Sequence, residues 1–304
     1  MKHMRTAVLL TTLAVSGAAV VHLALSGDAP ARARDSQVVV ASRAVHPPAT
    51  SYSYVRLDNP PRTEVLDQND KLVATLTDGA RSTVLSGPIR TFTDPARTAA
   101  VIPTETWVRF TPQPWHAGDE KADWFRPWLT HALADTSADL LAVATQYVTG
   151  ARFAFDADVA DFLGQEWQQR NPRMDKLGRL DSAGYARLVY GYRMGYPGDA
   201  GGLPRSPAEI ANAKLGTVIA DKATGAASAR FLAQPGDLLL FAVDGKATAV
   251  DHVGIYLGAD DSGHPRFIAC RGTPDGPTFG DVGGASVLDD NGPYAAGLRG
   301  IRRL

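Results

Sequence analysis

Ser182 and His252 are the residues whose types and placement could do chemistry, a hydroxyl and an imidazole seventy positions apart. Ser182 lies in Leu180-Asp-Ser-Ala-Gly-Tyr-Ala-Arg-Leu-Val-Tyr190, where small residues precede Tyr185, Leu188, Val189 and Tyr192 at helical spacing. That pattern predicts a tight turn entering a helix, with Ser182 at the helix N-terminus. Free N–H groups and the positive end of the helix dipole stabilise an anion there. They lower the pKa of a cysteine and can bind a developing oxyanion. His252 lies in Val250-Asp-His-Val-Gly-Ile-Tyr-Leu-Gly258, downstream of Gln234-Pro-Gly-Asp-Leu-Leu-Leu-Phe241. The Pro-Gly-Asp turn and the apolar runs Leu238 to Phe241 and Val253 to Leu257 predict paired strands, with His252 at a strand start. Together the two segments read as a hydrolase site with its nucleophile changed.

A small-residue turn opening a helix, then Pro-Gly-Asp-Leu-Leu-Leu-Phe, then Asp-His-Val-Gly-Ile-Tyr-Leu-Gly resembles the NlpC family of papain-like cell-wall peptidases. The resemblance runs from Ala138 to Leu304, about half of the chain. In that family the turn reads Asp-Cys-Ser-Gly-aromatic, the cysteine attacks the peptide carbonyl, and the histidine of His-Val-Gly-Ile-Tyr is its base. The resemblance implies that Ser182 fills the nucleophile slot and His252 the base slot. It implies that backbone N–H groups at the start of the Ser182 helix are the oxyanion donors. The family's third polar residue stands in a Phe-Ile-His-Ala-like stretch. Here that stretch is Phe267-Ile-Ala-Cys270, so the orienting position is Ala269, whose side chain can neither donate nor accept a hydrogen bond. The implied substrate is the peptidoglycan stem peptide. The implied reaction is hydrolysis of an amide beside a D-amino acid through an acyl-enzyme, with no metal or organic cofactor.

Serine in place of cysteine changes what this pair can do. A thiol and an imidazole share a proton readily near neutral pH, whereas a hydroxyl needs a base held in the right tautomer by a third group. Ala269 supplies none. Three readings stay open, and with them the question whether the chain is an enzyme. One is a peptidase homologue with weak or lost catalysis, another a non-catalytic pseudoenzyme that binds peptidoglycan, and the third a serine-based acyl transferase or esterase. His264, in Asp260-Asp-Ser-Gly-His-Pro265, could swing toward the site, but its turn composition points to a solvated side chain. Cys270 is the single cysteine. Strand alternation turns it away from position 269 and toward a core. Arg271 could bind a peptide carboxylate or form a surface ion pair.

These residues need an α+β scaffold, a papain-like NlpC-type domain of helices packed on an antiparallel sheet, at 117–304. Within it, Thr136-Ser-Ala-Asp139 predicts a capping box before an apolar helix, and Pro207 to Ala211 a short helix. Asp156, Asp158 and Asp161 lack the glycine turn and closing glutamate of a calcium loop and read as a solvated acidic face. The Gly-rich stretch Gly198 to Leu203 lacks the Lys-Ser/Thr ending of a phosphate loop. A last strand is expected near Leu298 to Leu304. Upstream, residues 51–116 read as a small β-rich module with strands at Thr63–Leu66, Leu72–Leu76, Ser82–Leu85 and Thr106–Phe110. The module could bind the wall, gate substrate, or only pack. Trp107, Trp115, Trp124 and Trp128 could line a glycan groove, but their scatter over strand, loop and helix favours an interface core.

Lys2, His3 and Arg5 precede an apolar and small stretch from Thr6 to Leu25, which reads as an export signal within 1–33 with a cleavage point at Ala31-Arg32-Ala33, or as an uncleaved anchor. Either places the body in the cell envelope or secreted, outside the cytoplasmic membrane, and any membrane contact would come from this segment alone. Residues 34–50 read as a flexible linker. With 31 basic against 32 acidic side chains, no global field draws in nucleic acid. The 44% of apolar residues suffices for a core, which must supply stability without a disulfide.

Overall fold

The computed structural model describes residues 39–40, 51–197, 202–221, 230–244 and 249–304. The expected signal at 1–33 lies outside them, as do most of the 34–50 segment, Gly198 to Gly201 and Gly245 to Thr248. The chain is mixed helix and sheet.

Turn signals and β-branched runs build the first sheet. β2 (Ser53–Asp58), β3 (Pro61–Leu66), β4 (Leu72–Thr77), β5 (Ser82–Thr93) and β6 (Val101–Phe110) follow one another as antiparallel neighbours. A two-residue β1 (Val39–Val40) also pairs with β5, with Val39 opposite Thr91 and Val40 opposite Arg90. Part of the expected linker is therefore held by main-chain hydrogen bonds. α1 (Phe125–Ala134) buries Phe125, Leu129 and Ala132 at helical spacing and lays that face on this sheet, against Val65, Leu76 and Leu85. α1 thus belongs by packing to the first sheet. Trp107, Trp115, Trp124 and Trp128 join the same cluster instead of lining a groove, with the Trp115 ring 4.9 Å from that of Phe125.

α2 (Leu140–Thr145) starts at Asp139, whose side chain accepts from the Ala142 N–H. The cap is the last residue of the expected box, and Asp alone suffices because its carboxylate reaches the N3 amide. β7 (Arg152–Phe153) and β8 (Arg179–Leu180) pair in parallel around α3 (Val159–Leu163), and β8 feeds α4 (Ser182–Ala186). The helical path of α4 continues as a π-turn over Arg187–Arg193, and α5 (Pro207–Asn212) follows with a Ser206/Glu209 capping box. The second sheet comprises β9 (Thr217–Ala220), β10 (Leu238–Phe241), β11 (His252–Ala259), β12 (Pro265–Arg271), β13 (Gly276–Thr278) and, after α6 (Pro293–Gly297), β14 (Leu298–Arg303). Its order is β13-β12-β11-β10-β14-β9, with every pair antiparallel.

Period-two alternation divides this sheet between two cores. Val253, Ile255, Leu257, Ile268 and Cys270 face α2 and α4, while Tyr256, Phe267 and Ala269 face the opposite cluster with Phe241 and Tyr294. The first core also takes Phe92, Ile102 and Val108 from the first sheet, so apolar packing joins that sheet to one face of the second. Two buried ion pairs seam it. Arg90 donates two 2.7 Å bonds to Asp139, which also accepts from the Val108 N–H. Arg303 donates two 2.8 Å bonds to Asp237 and a third, at 2.7 Å, to Thr77.

Candidate active site

Each residue of the Asp181-Ser-Ala-Gly-Tyr185 turn has a physical task. The Asp181 carboxylate caps α4 by accepting from Gly184 N–H at 2.6 Å, and its carbonyl accepts from Tyr185 N–H. A side chain at 184 would place its Cβ 2.5 Å from the Ala157 carbonyl, so only glycine lets the helix start press onto the turn before α3. The buried Tyr185 hydroxyl donates to the Ala144 carbonyl at 2.8 Å and ties α4 to α2. Arg205 donates to Asp181 at 2.9 Å, yet burial dominates and pushes the Asp181 carboxyl upward. The cap engages the N–H groups of Gly184 and Tyr185, leaving those of Ser182 and Ala183 outside it.

Ser182 is only 4% exposed. Its Oγ accepts from the N–H of Val253, the residue after His252, at 3.4 Å, long for a hydrogen bond. α4 thus brings the hydroxyl to the main chain of β11, one residue past His252. Among the described residues no hydrogen bond joins Ser182 to His252. The imidazole Nε2 is buried and has no hydrogen-bond partner. Burial, with the Arg271 charge as a smaller contribution, pushes the imidazole down to about 3, so it is neutral at physiological pH.

Ala269 is fully buried. Continuing the β11–β12 register from Ile255 opposite Ile268 puts Ala269 opposite Gly254, on the face that carries His252. Position 269 therefore offers the imidazole no polar partner. Cys270 points to the other core, with its Sγ 3.2 Å from the Leu180 carbonyl and its thiol pushed well up by burial. His264 is exposed, with Nδ1 3.0 Å from Asp289, which raises it. It sits beyond the far end of β11, more than roughly 20 Å along the strand from His252.

Two expectations are corrected. Arg271 is neither a free carboxylate receptor nor part of a surface ion pair. It is buried, and it donates to the Gly280 carbonyl at 3.0 Å, to Ser286 Oγ at 2.9 Å and to the Gly284 carbonyl. Asp158 and Asp161 are buried, not solvated, because arginines neutralise them: Arg187 binds Asp158 at 3.0 Å and Arg173 binds Asp161 at 2.6 Å, while Arg205 spans Asp156 and Asp181. Among the described residues no group of three or more His, Cys, Asp or Glu side chains is placed to hold a metal. The sequence did not single out Tyr294. Its ring lies 5.6 Å from that of His252 and under the Arg271 guanidinium, 5.1 Å from its centroid. Only its position in the Asn291-Gly-Pro293 loop region signalled it, and loop residues carry no partner information.

Fold and site together define a mixed helix-and-sheet chain in which a serine at a helix start reaches the main chain of an antiparallel strand one residue past a histidine. No family model and no curated protein matches the chain. Among solved structures it is similar to a protein described as similar to a lipoprotein of the NLP/P60 family from Staphylococcus aureus, at 20% identity and a TM-score of 0.31, over 59% of this chain and 48% of that one. The chain thus spans about half the length of that structure. It is also similar to an NlpC/P60 family protein from Bacillus cereus, at 13% identity and a TM-score of 0.32, over 83% and 78% of the two chains. Superpositions at these scores are too loose to bear on the site.

Proposed function

We propose that this chain is an exported homologue of the NlpC cell-wall peptidases that binds peptidoglycan stem peptides beside Ser182 and His252, with acyl transfer weak or lost. The substrate class and the export follow from motif resemblance and from the Lys2 to Leu25 segment. Among the described residues no helix is long and apolar enough to cross a membrane. The observation that carries the catalytic half of the reading is the unpartnered, buried Nε2 of His252 beside Ala269. For Ser182 to attack a carbonyl, His252 must take its proton and become imidazolium in the transition state. With the imidazole at about 3 instead of 6.5, that charge is disfavoured by roughly 5 kcal/mol relative to an imidazole in water. No carboxylate or amide at 269 offsets it. A capped turn that carries Ser182 to β11 with no hydrogen bond to His252 supports binding over turnover.

The test is release of new amine ends from purified muropeptides by wild type, Ser182→Cys and Ser182→Ala, with muropeptide binding measured alongside by calorimetry. Binding by all three and no release by wild type is expected. Wild-type cleavage that vanishes in the alanine variant would show a working serine hydrolase, and failure of every form to bind would end the wall-peptide reading.

A further inference from the structure

Tyr294 is enclosed by side chains from three neighbouring strands. Its ring lies 5.5 Å from Phe241 on β10, 5.6 Å from His252 on β11 and 5.2 Å from Phe267 on β12, all within the range of aromatic contact. Arg271, also on β12, completes the enclosure with its guanidinium over the ring. The guanidinium is itself immobilised by its bonds to Gly280, Gly284 and Ser286. A chain of fixed contacts therefore runs from the 280–286 loop through Arg271 and Tyr294 to the imidazole.

We infer that Tyr294, clamped by Arg271, is the positioning residue for His252, doing by ring packing what a polar side chain at position 269 would do by hydrogen bonding. The inference rests on the reading of Ser182 and His252 as the site. Ala269 is what makes it possible, since it is fully buried in the same cluster as Tyr294, Phe241 and Phe267. A longer side chain there would have to displace one of these rings. The replacement differs from a hydrogen-bonded partner in one respect. A ring contact fixes the plane of the imidazole but holds none of its protons, consistent with the unpartnered Nε2.

The groups facing the imidazole are few. Arg271 approaches from β12 and the Tyr294 ring from α6, β10 presents the apolar Phe241 directly opposite, and Ser182 reaches only the main chain of the next residue, Val253. Removing the ring should let water and alternative rotamers reach His252, and removing the cation should relieve its repulsion.

The experiment is NMR titration of nitrogen-15-labelled imidazoles in the full chain as wild type, Tyr294→Phe, Tyr294→Leu and Arg271→Met, with near-ultraviolet circular dichroism as the check of fold. Tyr294→Phe keeps the ring and should leave the His252 midpoint at its wild-type value. Tyr294→Leu and Arg271→Met should each move it up by a pH unit or more. If Tyr294→Leu does not fold, Tyr294→Met carries the test, because it too removes the ring while filling similar volume, whereas Arg271→Met also relieves charge repulsion. An unmoved midpoint in folded Tyr294→Leu, Tyr294→Met or Arg271→Met overturns the inference, as does an equal shift in Tyr294→Phe, which would assign the effect to the hydroxyl. Muropeptide binding plays no part in this readout, so its outcome and that of the wall-peptide reading are separable.

Discussion

Replacing His252 with leucine should flatten the acid side of the stability curve. The folded imidazole is held near 3, mainly by burial, while in the unfolded chain it returns to about 6.5. Between those values the unfolded state binds more protons than the folded one, so stability rises with pH. The contribution is complete above pH 6.5 and is lost as pH falls toward the folded value. Each pH unit in that window is worth ~1.4 kcal/mol, so acidification from pH 6.5 to pH 5 should remove roughly 2 kcal/mol before most carboxylates titrate. His264, which is raised, acts in the opposite direction, but it is present in both proteins and cancels in the comparison. Urea unfolding of wild type and His252→Leu at pH 7, 6.5, 6, 5.5 and 5 gives the difference directly. Wild type should lose about 2 kcal/mol more than the variant over that range. Equal losses would show that the imidazole titrates normally in the folded protein, and the argument for a disabled base would fall with it.

Two further outcomes follow from buried groups away from the dyad. Cys270, the single cysteine, is enclosed with its thiol pushed up. A disulfide reagent should therefore label it at the rate of global unfolding, and labelling of the native protein within seconds would contradict its placement. Asp237→Ala should leave the buried Arg303 guanidinium without its carboxylate and cost about 3–5 kcal/mol in urea unfolding; a loss below about 1 kcal/mol would show the pair to be solvated.

Local signals were legible and distant partnerships were not. The helix behind Ser182, the Pro-Gly-Asp turn and the strand that begins at His252 all follow from residues within a few positions of one another. The strands expected at Thr63, Leu72, Ser82 and Thr106 fall inside β3 to β6 for the same reason. Arg90 with Asp139, Arg303 with Asp237 and Tyr294 with His252 are joined only by the fold, and neither charge nor aromaticity names a partner 40 or more residues away. The acidic cluster misled for a related reason. Asp158 and Asp161 look like surface residues until Arg173 and Arg187 arrive from other segments and make their burial tolerable. Ala269 was legible as a departure from a motif, but what fills the adjoining space came from a loop with no pattern of its own.

β14 lies between β10 and β9, and its Arg303 closes on Asp237 and Thr77. A ribosome or an export channel delivers the chain from its N-terminus, so β9 and β10 emerge long before the strand that joins them. Until residues 298–303 arrive, both strands present unpaired edges and Asp237 has no counter-ion. The second sheet is therefore completed late, after the His252 hairpin is already available to form. A nascent chain held short of residue 298 should remain open to proteases and chaperones over its C-terminal half, and that half should become protected in a single step when the last strand slots in.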